Sequence, residues 1–162
     1  MIVVKGHIRE VLVIRLMRGE NIYAGIVEAC EQNNVRNAAI ISVVGSLNGV
    51  SFYEPIVDPG HVSGISYGEA IRLEGPVEVL SVQGEICHTK DGDIKIHLHA
   101  TFADREGKAY GGHLMEENIE VLNVINVFLG IIEGVDMGFE YEAVLGGDSF
   151  HPKGIPFDTL QA

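Results

Sequence analysis

From His7 to Leu16 the chain is rich in Val, Ile and Leu, with Ile8 and then Val11 to Ile14 forming an apolar run that Arg15 ends, which predicts a strand. Past Arg18-Gly19-Glu20-Asn21, the residues Ile22, Ile26, Ala29 and Cys30 fall at helical spacing. Asn33-Asn34 supplies a left-handed stop, so one amphipathic helix is expected from about Asn21 to Asn33. Ala38 to Val44 reads as a buried strand, Gly45-Ser46-Leu47-Asn48-Gly49 as a tight turn, and Val50 to Tyr53 as the returning arm of a hairpin. Pro55 to Gly64 has no periodicity and reads as a surface loop, long enough to serve packing or binding.

Strand signals resume at Glu69 to Glu74. Gly75-Pro76 reads as a turn into a Val-rich strand, Val77 to about His88. Asp91-Gly92 is a strong hairpin dipeptide, and Ile94 to Ala103 is the returning strand. Between Ile119 and Ile132 the polar residues recur at a spacing that also suits a helix. The β-branched Val121, Val124, Ile125, Val127, Ile131 and Ile132, with Gly130 among them, favour a strand. Gly134 to Gly138 reads as a turn, Phe139 to Leu145 as a last short strand, and Gly146 to Ala162 as a tail. Many strands with one early helix predict an α+β domain, a mainly antiparallel sheet with one principal helix packed on it. Sheet edges need cover, and a symmetric oligomer is one way to provide it.

Length and composition narrow this to one folded domain: 162 residues, 46% of them hydrophobic, with 20 Gly and 5 Pro. Lys and Arg number 11 against 23 Asp and Glu, a formal charge of −12 that repels phosphate backbones and disfavours direct nucleic-acid binding. The start, MIVVKGHIRE, is interrupted by charge before a signal-peptide core forms, and no stretch of 18 apolar residues follows. A cytoplasmic protein without a membrane segment is expected. Cys30 and Cys87 have no C-x-x-C spacing and read as small core residues of a reducing compartment.

Chemistry concentrates between Ile96 and Leu114. Residues two apart in a strand share a face at about 6.5–7 Å, so His97 and His99 can reach one ion between them. If Arg105-Glu106-Gly107 is a three-residue loop with Gly107 left-handed, Asp104 faces Lys108 and His113 stands directly opposite His99. A four-residue loop would turn His113 to the other face. Three imidazoles without a cysteine suit a divalent metal, Zn²⁺ before Ni²⁺, Cu²⁺ or Fe²⁺, and leave a fourth position open, which makes hydrolysis or hydration available. Glu78 on the preceding strand is the one acid or base named for such chemistry. Arg15, with Arg18 and Glu20, could meet an anionic ligand at the helix start, although ion pairs are the plainer role. His7, His61, His88 and His151 read as surface or loop residues, and neither a phosphate loop nor a G-x-S-x-G motif is present.

His97-Leu98-His99 followed by Gly111-Gly112-His113-Leu114 resembles the PPC domain, a module shared by plants and prokaryotes. Earlier blocks agree in order: Arg15-Leu16-Met17-Arg18-Gly19-Glu20, Val44-Gly45-Ser46-Leu47, and Val77 through Gly84. The resemblance covers about Lys5 to Leu145 and leaves 146–162 as a C-terminal tail. It implies a seven- to eight-stranded antiparallel sheet beside a helix, a homotrimer, and a metal held by His97, His99 and His113. Plant members of the family are DNA-associated regulators that carry an Arg-Gly-Arg-Pro hook for the minor groove. Here the only Arg-Gly, Arg18-Gly19, is followed by Glu20. The leading expectation is a homotrimeric metal-binding module that recognises a small molecule or a protein partner, with Arg15 and Glu78 as candidate ligand contacts. A DNA-associated transcriptional regulator and a zinc-dependent enzyme acting on a small substrate are the alternatives.

Overall fold

The computed structural model describes residues 1–155. In chain order these form β1 (His7–Met17), α1 (Ile22–Gln32), β2 (Ala38–Tyr53), β3 (Pro55–Val57), β4 (Ile65–Tyr67), β5 (Ile71–His88), β6 (Ile94–Ala103), β7 (Ala109–Leu114), β8 (Val121–Glu133), β9 (Val135–Glu142) and β10 (Gly147–Gly154). Eight strands make one sheet in the order β1-β8-β2-β7-β6-β5-β9-β10, and β3 and β4 form a separate two-stranded hairpin. A further pairing of β2 with β5 closes β2, β7, β6 and β5 into a ring.

The expected α+β class, with a principal helix packed on the sheet, is corrected by this arrangement. The protein is mostly β, and among the described residues the one helix is 11 residues long. The sheet is mixed, because β5 meets β9 in parallel at His88 and Gly138. The discrepancy has a physical source in glycine, which ends strands in isolation but also permits bulges and close backbone approach. Gly45 to Gly49 is no turn: β2 runs through it for 16 residues with register shifts on both sides. Likewise β5 passes through Gly75-Pro76 and reaches 18 residues. The turn expected at Gly134 to Gly138 contracts, so β9 begins at Val135, and part of the expected tail becomes β10, paired with β9 from Gly147 to Gly154. Residues 156–162 of that tail lie outside the described residues.

The helix starts as its sequence requires. The Asn21 side chain accepts a hydrogen bond from the Ala24 amide at 3.0 Å, and Asn34 takes a left-handed φ of 55° just past the other end. Its apolar stripe, Ile22, Ile26 and Cys30, joins a core of Leu16, Leu47, Phe52, Phe102, Ile125 and Leu129. Segment 119–132, ambiguous by period, is strand β8 from Val121, with Val121, Ile125, Val127 and Leu129 alternating into the core. Both cysteines are free and fully buried, and burial pushes the Cys30 thiol up to about 11 and the Cys87 thiol up to about 12. They are therefore poor nucleophiles at neutral pH.

At Gly45 two constraints coincide. Its φ is +148°, and a Cβ there would lie 2.2 Å from the Val124 carbonyl oxygen on β8. Gly107 has φ +79° in open space, with no atom within 4 Å of an added Cβ. Gly107→Ala should therefore cost only the conformational term, about 1–2 kcal/mol. Gly45→Ala should cost more than that, because the β2–β8 ladder must also move apart. Urea denaturation of the two variants beside the parent measures the difference.

Candidate metal centre

The hairpin between β6 and β7 has the short loop. Gly107 is left-handed, its amide donates to the Asp104 carbonyl at 2.9 Å, and the Asp104 amide donates to the Lys108 carbonyl at 3.1 Å. Asp104 Oδ1 also accepts from the Glu106 and Lys108 amides, fixing the turn from within. From there the register runs Ala103↔Ala109, Thr101↔Gly111 and His99↔His113. The even alternation of β6 buries Ile96, Leu98, Ala100 and Phe102 and turns His97, His99 and Thr101 outward. Glycine lets the neighbours close in. A Cβ on Gly84 would lie 2.0 Å from the His97 carbonyl oxygen, one on Gly111 2.5 Å from that of Ala100, and one on Gly112 2.5 Å from that of Tyr53.

His97, His99 and His113 thus meet at one point on the outer face, each offering a ring nitrogen within 4.8 Å of the others. Ring centroids are 4.8 to 5.3 Å apart. The Nε2 atoms of His97 and His99 lie 3.1 Å apart. Two nitrogens on one tetrahedral zinc, each at 2.0–2.1 Å, stand about 3.3 Å apart, so the pair already has the required spacing.

Two of the three rings are oriented through their second nitrogen. His97 Nδ1 lies 2.9 Å from Glu85 Oε1, directly across the ladder on β5. His113 Nδ1 lies 3.0 Å from the Tyr67 hydroxyl on β4, and the two rings are tilted by 49° with centroids 4.8 Å apart. Both contacts engage Nδ1 and leave Nε2 for a metal, the arrangement that fixes tautomer and ring plane in metal-ligating histidines. Desolvation pushes the His113 pKa down to about 4, helped by the neighbouring His97 and His99. His113 is therefore a neutral, ligand-competent base well below neutral pH.

Sequence reasoning named neither Glu85 nor Tyr67. Glu85 could have been found from the β5–β6 register, which pairs it with His97. Tyr67 could not, because it arrives from the β3–β4 hairpin, which forms no ladder with the main sheet. Glu78 and Arg15 stand elsewhere. Glu78 faces Ala103, four residues along β6 from His99, roughly 13 Å at about 3.3 Å per residue. Arg15 is exposed on β1 opposite Asn126, at the far end of the sheet, while the Glu20 side chain turns back to accept from the Met17 amide. His88, expected at the surface, is partly buried and bridges β5 to β9 through Asp136 Oδ1 at 2.6 Å.

Solved structures share this fold. A metal-containing protein of Archaeoglobus fulgidus superposes with a TM-score of 0.78 at 22% identity, over 93% of this chain and 99% of that one. A plant- and prokaryote-conserved protein of Pyrococcus horikoshii gives 0.77 at 21% identity, over 96% and 100%. A candidate DNA-binding protein of Bacteroides thetaiotaomicron gives 0.70 at 16% identity, over 90% and 94%. Among curated sequences, the bifunctional protein GlmU of a Synechococcus strain is 28% identical over 101 residues, 62% of this chain, and the chain spans 14% of that protein's length. Residues 4–133 match the Plants and Prokaryotes Conserved (PCC) domain, and by that match over most of its length the chain belongs to this family.

Proposed function

We propose that the chain is a cytoplasmic, homotrimeric metal-binding module in which His97, His99 and His113 hold a divalent cation, with zinc as the best match to the donor set. It presents the open coordination position to a small molecule or a protein partner. The observation that carries this reading is the convergence of three outward imidazoles, two of them oriented through their far nitrogens by Glu85 and Tyr67. A zinc ion so held supplies Lewis acidity at its free position. The chain's own residues aim two of the rings, and neither thiol competes for the metal because both are buried.

Assembly finds support on the opposite end of the sheet. Val11, Val13, Arg15 and Met17 project from the outer face of β1, and Val44 continues that face on β2 across Asn126 of β8. Ile8 and Ile41 flank Gly130 there. Val13 is 60% and Val44 55% exposed, an apolar sheet face of the kind that monomers rarely leave uncovered. No helix among the described residues is long and apolar enough to cross a membrane.

The DNA-associated reading draws on what similar proteins of Bacteroides thetaiotaomicron and Ralstonia eutropha are called, and the charge of −12 opposes it. A metal-dependent enzyme acting through Glu78 draws nothing from the geometry, since Glu78 is removed from the histidines.

Elemental analysis of the purified protein should give one divalent ion per chain, lost in His113→Ala; equal metal content in the two would refute the site. Glu85→Gln should weaken zinc affinity by about 10–100-fold while leaving the circular dichroism spectrum unchanged. For the assembly, light scattering should report three chains per particle, and Val13→Glu combined with Val44→Glu should release monomers. A monomeric parent protein would end the trimer reading.

A further inference from the structure

Beside the histidine cluster, on the same outer face, lies a depression of about 230 Å³ lined by Ser81, Gln83, His99, Thr101, Gly111 and Gly112. Its origin is a missing side chain. Register places Gly111 opposite Thr101, so β7 contributes no atoms beyond the backbone where a cross-strand partner would otherwise stand. On the other flank Gln83 faces His99 and Ser81 faces Thr101, which puts three polar side chains in a short row running away from the metal position. Among the described residues, none of the three makes a side-chain hydrogen bond to another protein group, whereas Glu85 and Tyr67 on the other side of the cluster are both engaged.

The lining chooses its ligand by what it lacks. No lysine, arginine, aspartate or glutamate borders the depression, so a second charged group on a ligand would find no counter-charge there. Hydroxyl and carboxamide groups donate and accept alike, which matches ligand hydroxyls. The single cationic feature would be an ion held by the histidines, in a chain whose overall charge of −12 repels free polyanions. Thr101 follows His99 by two residues, about 6.5–7 Å along the strand, the span of a short extended polyol. At about 230 Å³ the space falls below the ~300 Å³ at which drug-sized sites begin, so the ligand is small.

We propose that this depression is the ligand subsite of the metal centre and that it takes a small polyhydroxylated monocarboxylate. The α-hydroxycarboxylate end would lie toward the position at which His97, His99 and His113 would hold the ion, with the distal hydroxyls on Ser81, Gln83 and Thr101. The inference depends on the metal reading above and extends it by naming the class of ligand and the residues that select it. Gln83 and Thr101 act as specificity residues, distinct from the histidines that hold the ion.

Lactate and gluconate separate the two contributions, since both present an α-hydroxycarboxylate and only gluconate carries further hydroxyls. Calorimetry on the zinc-loaded protein should find gluconate bound roughly tenfold more tightly than lactate, the gain expected from one or two net hydrogen bonds. The double variant Gln83→Ala, Thr101→Val should bring the two ligands within about twofold of each other while zinc content stays at one per chain. Equal affinities in the zinc-loaded parent, or a preference that survives in the double variant, would overturn the subsite and leave the metal reading standing. Failure of the parent to take up zinc would overturn both.

Discussion

Everything at the site depends on the parity of one hairpin loop. With three residues between Asp104 and Lys108, and Gly107 free to turn left-handed, β7 returns in the register that sets His113 across from His99. One residue more would exchange the faces of β7, sending His113 into the core and Leu114 out of it. The two outcomes differ by the burial of a leucine and the desolvation of an imidazole, so packing and site geometry enforce the same register. Leu114 is buried and its neighbour His113 faces outward, as that shared preference requires.

The sequence made this hairpin legible because its information is local. A glycine at the left-handed position, an aspartate that can accept from the turn amides, and alternating apolar residues on β6 all lie within twenty residues of each other. Contacts that form only when distant strands meet were not legible. Gly45 reads as a turn former in isolation, yet it is needed where β2 passes closest to Val124 and Ile125 of β8, some eighty positions later in the chain. The same difficulty hid Gly75 inside β5. It also turned an expected α+β fold into a mostly β one, since each misread turn shortened a strand. Glu85 and Tyr67 were missed for a related reason: a carboxylate on a half-buried strand and a tyrosine after an irregular loop have no pattern of their own, and their role exists only in relation to His97 and His113.

Charge separates the functions available to this surface. A chain at −12 can still gather an anion if a divalent ion provides the local field, because the screening length of about 8 Å at physiological salt confines the competition to nearby groups. Glu85 is the carboxylate nearest the cluster, and its contact with His97 Nδ1 directs its charge toward strengthening that ring as a donor. A polyanion the size of a duplex spans many screening lengths and meets the acidic surface as a whole. The same electrostatics therefore permit a small carboxylate and oppose nucleic acid.

The two orienting contacts are not equivalent mechanically. Glu85 sits on β5 and is held by ladder bonds on the β6 side, so the His97 ring is as fixed as the sheet itself. Tyr67 comes from the β3–β4 hairpin, joined to the ring of strands through Glu54 and through the tilted contact of Tyr67 with Tyr53, centroids 5.7 Å apart. A shift of that hairpin would release His113 Nδ1 while leaving His97 and His99 where they are. His113 is thus the ligand whose ring orientation depends on a contact from outside the main sheet, and because the ring is partly desolvated, loss of that contact would leave Nδ1 without a partner. All three ligands thus stand on the sheet, two on β6 and one on β7, and they differ in what aims the ring: a carboxylate of the same sheet for His97 and a hydroxyl from a separate hairpin for His113.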